Sequence, residues 1–150
     1  MDTVDPKKRS EIMSHIRGKN TKPELLIRSL LHRSGFRFRI HRRDLPGCPD
    51  IVLPKYKTII FVHGCFWHQH PGCRKATIPE TNKDFWTEKL TKNTTRDFLI
   101  CNELKKQGWK TIIVWQCELK KILEVPDILL KQIILSDPPN VCKDVLPDSN

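Results

Sequence analysis

The segment TIIFVHGCFWHQHPGC, residues 58–73, decides the predicted fold because it joins a core strand to a dense group of reactive side chains. Its first residues are apolar and mostly β-branched, which predicts a buried strand ending at Gly64. Imidazoles, thiols and aromatic rings follow, and Pro71-Gly72 turns the chain. Because such a strand is rigid and the loop after it is free to vary, α/β proteins often carry sites there. We therefore expect the functional site at this strand end.

Composition limits the class of protein. The chain has 150 residues, of which 38% are hydrophobic, enough for one domain with a core. No apolar run approaches the ~20 residues that cross a bilayer, and the N-terminus MDTVDPKKRSE contains no signal-like segment. We expect a soluble, intracellular protein without a membrane partner. The net charge of +10 favours a polyanionic partner such as nucleic acid, although ribosomal proteins and many other domains are also basic.

The N-terminal segment predicts a short basic helix that starts at Asp5-Pro6 and stops at Gly18. Ile12, Met13 and Ile16 fall on one side of it. Two interpretations remain open. Composition alone favours a docked terminal helix with a solvated basic face, and the alternative is an arm laid on DNA that offers Met13 to a base step.

A second helix is predicted from Thr21, with a capping box formed by Thr21 and Glu24, to a stop at Gly35. Its expected buried side consists of Leu25, Leu26, Ile27, Leu30 and Leu31.

Three strands are expected between residues 36 and 63, and the last two of them should form a hairpin that creates a site. Residues 36–40 predict a strand with one face in water, and the short run 51–53 predicts a strand paired with the one starting at Thr58. The hairpin brings Asp50 near His63.

A long helix from about Asp84 to Gly108 should connect the Thr58 strand to a strand at residues 111–115. The positions expected to recur at helical intervals include Trp86, Leu90, Thr94, Leu99 and Leu104. A strand, helix, strand order implies a crossover and a parallel pair, so both strands end at one sheet edge. One more helix is expected at 127–135. The predicted class is α/β, with a central mixed sheet flanked by helices.

Four residues have the chemistry of a zinc site. Six cysteines without a secretion signal favour metal ligands or free thiols over disulfides. The parallel topology places Cys117 beside the loop that carries Cys65, His70 and Cys73. Cys3His is a closed tetrahedral set, which predicts structural Zn²⁺. The alternative is a group of unmetallated thiols. Cys48, Cys101 and Cys142 are single in the sequence and are expected to be ordinary buried or surface thiols.

Asp50, His63 and His68 form a second group. A carboxylate at a strand start suits Mg²⁺, and an imidazole moves protons near neutral pH. Pro-Asp is also a plain turn, which stays open as an alternative. Metal-assisted phosphodiester hydrolysis would use these groups together with the positive charge.

The chain resembles the Vsr family, the very short patch repair endonucleases, over about residues 5–123. The motifs that carry the resemblance are TKPE (21–24), LPGCPD (45–50), IIFVHGCFWHQHPGC (59–73), FWTEKLTKNTTRD (85–97) and GWKTIIVWQC (108–117). The resemblance implies a variant of the PD-(D/E)XK nuclease fold that lacks the downstream acidic-x-Lys signature. Val62-His63-Gly64 stands where that signature would be sought.

The resemblance also implies an activity. Vsr enzymes nick one strand beside the thymine of a T·G mismatch that arises when 5-methylcytosine deaminates. The implied substrate is double-stranded DNA, and the implied enzyme is a monomer that works with a cytosine-5 methyltransferase and downstream repair proteins. Its implied location is the cytoplasm, at the bacterial nucleoid.

The resemblance implies roles for the residues of this sequence that match the site positions of the Vsr family. Asp50 and the backbone carbonyl of Val62 would bind catalytic Mg²⁺. His63 and His68 would lie at the scissile phosphate, with His68 the candidate for activating water. Glu24 would act through water bound to the metal, and Asp97 would orient a histidine.

The remaining implied residues contact DNA or zinc. Phe66, Trp67 and Trp86 match aromatic residues that wedge into the duplex, and Met13 matches an apolar residue of the N-terminal arm. Salt-sensitive phosphate contacts are expected from Arg9, Arg17, Lys19 and Arg42. The structural zinc falls on Cys65, His70, Cys73 and Cys117.

Two other functions remain open. A zinc-stabilised DNA-binding protein without catalysis would have no need of Asp50, His63 and His68 in one pocket. An ordinary restriction endonuclease of this fold would dimerise and cut both strands. For the endonuclease we expect one domain over residues 1–150, with a DNA-contacting N-terminal arm at 1–18 and a loose tail at 136–150.

Overall fold

The computed structural model describes residues 21–135. The expected N-terminal arm with Met13, Arg9, Arg17 and Lys19, and the expected tail, lie outside these residues. The elements within them are α1 (Lys22–Arg33), β1 (Arg39–Ile40), β2 (Ile51–Leu53), β3 (Thr58–His63), α2 (Lys83–Lys106), β4 (Lys110–Trp115), α3 (Leu119–Glu124) and α4 (Asp127–Ile134). In this part of the chain no helix combines the length and the apolar character needed to cross a membrane.

The four strands form one mixed sheet in the order β1-β2-β3-β4, which confirms the α/β class. β2 pairs antiparallel with β3, as the hairpin predicted. β3 and β4 pair in parallel, with His63 opposite Trp115, because α2 crosses between them. The carboxyl ends of β3 and β4 therefore lie side by side.

β1 is shorter than the predicted strand and contains only two residues. Arg39 pairs with Val52 and Ile40 with Ile51. Pairing cannot extend to Phe36 because β2 ends at Leu53 and Pro54 begins a 3-10 turn. Proline has no N–H to offer a neighbouring strand.

The core has two layers because side chains alternate along β3. Ile60 belongs to the layer that packs with Ile112, Leu31 and Leu129, from β4, α1 and α4. The opposite layer contains Ile59, Val52, Phe61, Leu45 and Leu104. Full burial of each such side chain contributes about 1.5–3 kcal/mol.

One predicted core residue, and one position of the expected helical repeat, are exposed. Leu25 is 49% exposed, because α1 directs Glu24, Ile27 and Leu31 inward, and this i, i+3, i+7 face leaves Leu25 about 100° away. Leu99 is 60% exposed. The expectation that Leu25 is buried was wrong because α1 buries a narrow face.

The predicted capping box is also wrong. Thr21 is the N-cap of α1, but its side chain makes no capping hydrogen bond. Glu24 is buried and turns to Arg28 and His41.

Candidate active site and metal centre

A cavity of about 750 Å³ lies at the carboxyl end of β3, where the start of α1, the loop before β2 and the middle of α2 border it. Its polar lining includes Glu24, His41, Asp50, His63, His68 and Asp97. The five predicted catalytic residues are therefore in one place. Asp50 comes from the start of β2, His63 from the end of β3, and Asp97 from α2.

Asp50 is tied to the sheet by one backbone hydrogen bond. The Val62 N–H donates to Asp50 Oδ2 at 2.8 Å. Because the N–H and C=O of one strand residue point to the same side, the Val62 carbonyl faces the side on which Asp50 lies. Burial raises the pKa of Asp50 to about 7, the Val62 hydrogen bond opposes that rise, and the charge of Glu24 adds to it. Without a bound cation, two crowded carboxylates therefore share the site.

His63 and His68 lie face to face at the other side of the cavity. Their ring centroids are 3.7 Å apart and the planes differ by 6°. His68 Nδ1 lies 2.5 Å from Asp97 Oδ2. With the Nδ1 proton directed at that carboxylate, His68 Nε2 carries the lone pair that accepts a proton.

His63 is 5% exposed. Burial, and secondly the charge of His68, lower the pKa of His63 to about 3, so its ring is neutral at pH 7. Within residues 21–135, the buried His63 Nδ1 has no hydrogen-bond partner. A buried polar atom without a partner is costly, and at an active site it marks a place for a ligand or water.

A second group lies just beyond the same strand ends. The donor atoms of Cys65, His70, Cys73 and Cys117 all lie within 4.8 Å of one another. Cys117 Sγ is 3.2 Å from His70 Nδ1. Zn–S and Zn–N bonds at tetrahedral angles separate such ligands by roughly 3.6 Å. The set therefore fits a tetrahedral metal ion after small movements.

The thiols in this group differ in how easily they ionise, because burial, and secondly the contacts with Cys65 and Cys73, raise the pKa of Cys117 to about 12. A backbone hydrogen bond from Lys75 lowers the pKa of Cys73, and contacts with Cys65 and Cys117 lower it further. Metal binding requires thiolates, and a lowered pKa makes the thiolate easier to form.

The three predicted wedge residues touch one another. The ring centroids of Phe66 are 5.2 Å from Trp67 and 5.5 Å from Trp86, and the two tryptophans are 5.9 Å apart. All three are half-buried. Lys89 Nζ lies 5.5 Å from the centroid of Trp67 and adds positive charge to the group. A partly exposed aromatic and cationic surface suits contact with nucleic acid bases.

Arg42, a predicted phosphate contact, has a partner within the protein. Its Nε lies 3.0 Å and its Nη2 2.5 Å from the two carboxylate oxygens of Asp44. A phosphate would have to compete with this bidentate pair.

Sequence reasoning missed three residues of the site. Trp115 lies between the two groups, edge-on to His63 at 5.3 Å and stacked on His70 at 4.2 Å. Arg28 and His41 bind Glu24. The i, i+4 spacing of Glu24 and Arg28 was a signal for their ion pair, whereas nothing local marks His41.

Comparisons with known proteins identify the family. Residues 1–75 match the model of the family described as DNA mismatch endonuclease Vsr. The chain is 48% identical over 121 residues to the type II nicking enzyme V.XorIIP of Xanthomonas oryzae, which covers 81% of this chain and 88% of that relative. It is 52% identical over 119 residues to the type II nicking enzyme V.NmeAIP of Neisseria meningitidis, covering 79% and 84%. It is 41% identical over 119 residues to the DNA mismatch endonuclease Vsr of Escherichia coli, covering 79% and 76%.

These matches span most of each chain and include the strand ends on which both groups are built. The chain is a DNA endonuclease and belongs to the Vsr family of DNA mismatch endonucleases.

Proposed function

We propose that this protein is a Mg²⁺-dependent endonuclease that nicks one DNA strand beside the thymine of a T·G mismatch. The observation that carries the proposal is the convergence of Asp50, His63, His68 and Asp97 on one cavity. A protein that only binds DNA needs no such set of hard ligands and imidazoles. The family membership supports nicking in mismatch repair.

Asp50 and the carbonyl of Val62 would hold the Mg²⁺. Both offer oxygen, the donor that Mg²⁺ prefers, and both face the same side of β3. Bound Mg²⁺ supplies positive charge that stabilises the attacking and leaving oxygens of the phosphodiester.

His68 is the proposed general base. Asp97 orients its ring through Nδ1, so that Nε2 takes the proton from the attacking water. His63 remains neutral, and its unpartnered Nδ1 is suited to a hydrogen bond near the scissile phosphate. Glu24 lies beside Asp50 and would act through water bound to the cation.

We propose Zn²⁺ as the ion held by Cys65, His70, Cys73 and Cys117. Four protein ligands leave no position for water, so this ion supports the structure and takes no part in catalysis.

The aromatic group is proposed to recognise the mismatch. Opening a base step costs a few kcal/mol, least at a poorly stacked pair, and stacking on aromatic rings offsets that cost. Phe66, Trp67 and Trp86 provide those rings, and Met13 would approach from the N-terminal arm. Arg9, Arg17 and Lys19 in that arm are proposed to bind phosphates.

The proposed setting is the repair of deaminated 5-methylcytosine. The enzyme would act as a single-domain monomer in the cytoplasm, at the nucleoid. It would accompany a cytosine-5 methyltransferase, which sets the sequence around the mismatch, and downstream repair proteins would finish the repair.

The test is cleavage of an end-labelled duplex with one T·G pair in varied flanking sequences, with the matched duplex as control. Mg²⁺ is added or withheld by dialysis, because a strong chelator would also attack the cysteine cluster. A Mg²⁺-dependent cut of the T strand alone, absent from matched DNA, is the expected result. Binding without cleavage in every context would indicate a non-catalytic zinc protein, and a double-strand cut in matched DNA would indicate a restriction endonuclease.

A further inference from the structure

Glu24 is held by two side chains that the proposed mechanism does not use. Arg28 Nη2 donates to Glu24 Oε2 at 2.9 Å. His41 Nε2 lies 3.2 Å from the same oxygen and 3.2 Å from Arg28 Nη2. The side chain of Glu24 is 3% exposed, whereas those of Arg28 and His41 are 14% and 15% exposed. The three groups thus form a compact, largely buried triangle.

Both contacts fall on one carboxylate oxygen, which fixes the rotation of the whole group. Asp50, when protonated, donates a hydrogen bond to the Glu24 carboxylate. The donor atoms of Glu24, His41 and Asp50 lie within 4.8 Å of one another. Two carboxylates at this distance repel each other, and the guanidinium of Arg28 offsets that repulsion.

His41 and Arg28 contribute differently. A single ring nitrogen cannot donate to the Glu24 carboxylate and accept from Arg28 at the same time. Arg28 binds Glu24 whichever tautomer His41 adopts. His41 helps to orient the Glu24 carboxylate when its Nε2 carries the proton and donates a hydrogen bond to that carboxylate.

The backbone at His41 is also unusual. Its φ of 47° lies in the left-handed region, which most residues other than glycine avoid. Such a conformation persists when the surrounding contacts over-determine it, and it occurs often at functional sites. The loop between β1 and β2 therefore presents His41 to the cavity at a conformational cost.

We propose that Arg28 and His41 are positioning residues that hold Glu24 for the Mg²⁺ beside Asp50. This inference rests on the proposed function, since it assigns the cation to the Asp50 cavity. Partners that orient the groups around a metal change metal affinity or activity by about 10- to 100-fold when they are removed.

The experiment measures Mn²⁺ binding to the zinc-loaded, full-length protein by electron paramagnetic resonance, together with the Mg²⁺ concentration for half-maximal nicking. Arg28→Met should weaken Mn²⁺ binding and raise the Mg²⁺ requirement by about 10- to 100-fold. His41→Leu should do the same by about 10-fold or less, and His41→Gln, which keeps an N–H donor, should recover most of that loss. If Arg28→Met does not fold, Arg28→Lys serves as the second variant, because it keeps the positive charge.

The matched controls are Arg33→Met and His32→Gln, which change exposed residues in α1, the helix that carries Arg28. They should leave Mn²⁺ binding unchanged. Glu24→Gln supplies the double-mutant cycle, because a residue that acts through Glu24 has no further effect once that carboxylate is gone. Arg28→Met should therefore change Mn²⁺ affinity less than 3-fold in the Glu24→Gln background.

Unchanged Mn²⁺ affinity in folded Arg28 and His41 variants would overturn the proposal. Full additivity with Glu24→Gln would also overturn it, because the two residues would then act independently of the carboxylate. A wild-type protein that binds Mn²⁺ through Asp50 but does not nick T·G duplexes would overturn the proposed function instead, and the binding cycle would still decide the roles of Arg28 and His41.

Discussion

Two groups of ligating side chains meet at one sheet edge; both include imidazoles, but one adds thiols and the other adds carboxylates. The cysteine cluster offers three thiols and an imidazole, and all four donor atoms face one another. The Asp50 cavity offers carboxylates and imidazoles around a space of about 750 Å³. A closed set of soft donors suits a permanent ion, whereas an open set of hard donors suits an exchangeable cation and a substrate.

Trp115 separates the two groups and touches both. It stacks on His70 in the cluster and meets His63 in the cavity edge-on. The loop between His63 and Cys73 carries Trp67 and His68, and it is attached to the sheet at one end and to the cluster at the other. We infer that the cluster holds the loop in place so that the cavity can be used.

The largest effect should follow from breaking the cluster. Cys117→Ser removes one of four ligands, and structural zinc binding is worth on the order of 10 kcal/mol to a fold. We expect loss of stoichiometric zinc, a lower melting temperature, and loss of nicking together with the fold. Metal analysis and thermal unfolding measure this, with Cys142→Ser as the control for removing a thiol. Unchanged zinc content in Cys117→Ser would contradict the ligand set.

A smaller and more selective effect should follow from changing the cavity. Asp50→Asn keeps the side-chain shape but removes the anionic oxygen for Mg²⁺, so nicking should fall by more than about 10³-fold. Zinc content and binding to T·G duplex should persist. The rate of single-strand cleavage and the zinc content are measured on the same sample. Nicking near the wild-type rate would remove Asp50 from the cation site.

The two groups also show what sequence can predict. The positions of the cysteine cluster follow from the order of strands and helices, because a parallel crossover brings Cys117 to the loop that holds Cys65 and Cys73. The approach of Asp50 to β3 follows in the same way from the hairpin. Topology and spacing therefore suffice where a site is built on paired strands.

Contacts that depend on side-chain rotation could not be predicted. Glu24 has the spacing of a capping box, and only the packing of α1 shows that it turns inward to Arg28 and His41. Leu25 and Leu99 have the spacing of core residues, yet the helix faces that meet the sheet exclude them. Tertiary packing decided these positions over local pattern.

The smallest expected effect that distinguishes the Asp50 cavity from the cysteine cluster is a dependence of stability on pH. The cavity should cost stability at neutral pH when no cation is bound, since burial raises the pKa of Asp50 to about 7 in the folded protein. The unfolded value is about 3.9, so the folded state binds more protons between the two values. The stability contributed by Asp50 is fully present below the unfolded pKa and is lost as pH rises toward 7.

In Mg²⁺-free buffer, Asp50→Asn should therefore be more stable than wild type at pH 8, by about 3–4 kcal/mol, and the difference should shrink toward pH 5. His63 acts in the opposite direction, because its pKa is lowered to about 3, and its contribution is lost as pH falls below its unfolded value. His63 and the cysteine cluster are the same in the wild type and in Asp50→Asn. The difference in unfolding free energy between these two proteins therefore reports on Asp50 alone. Urea unfolding from pH 5 to 8 measures it. An equal difference at both ends of that range would show that burial beside Glu24 does not destabilise the Asp50 carboxylate. Added Mg²⁺ should stabilise only the wild type.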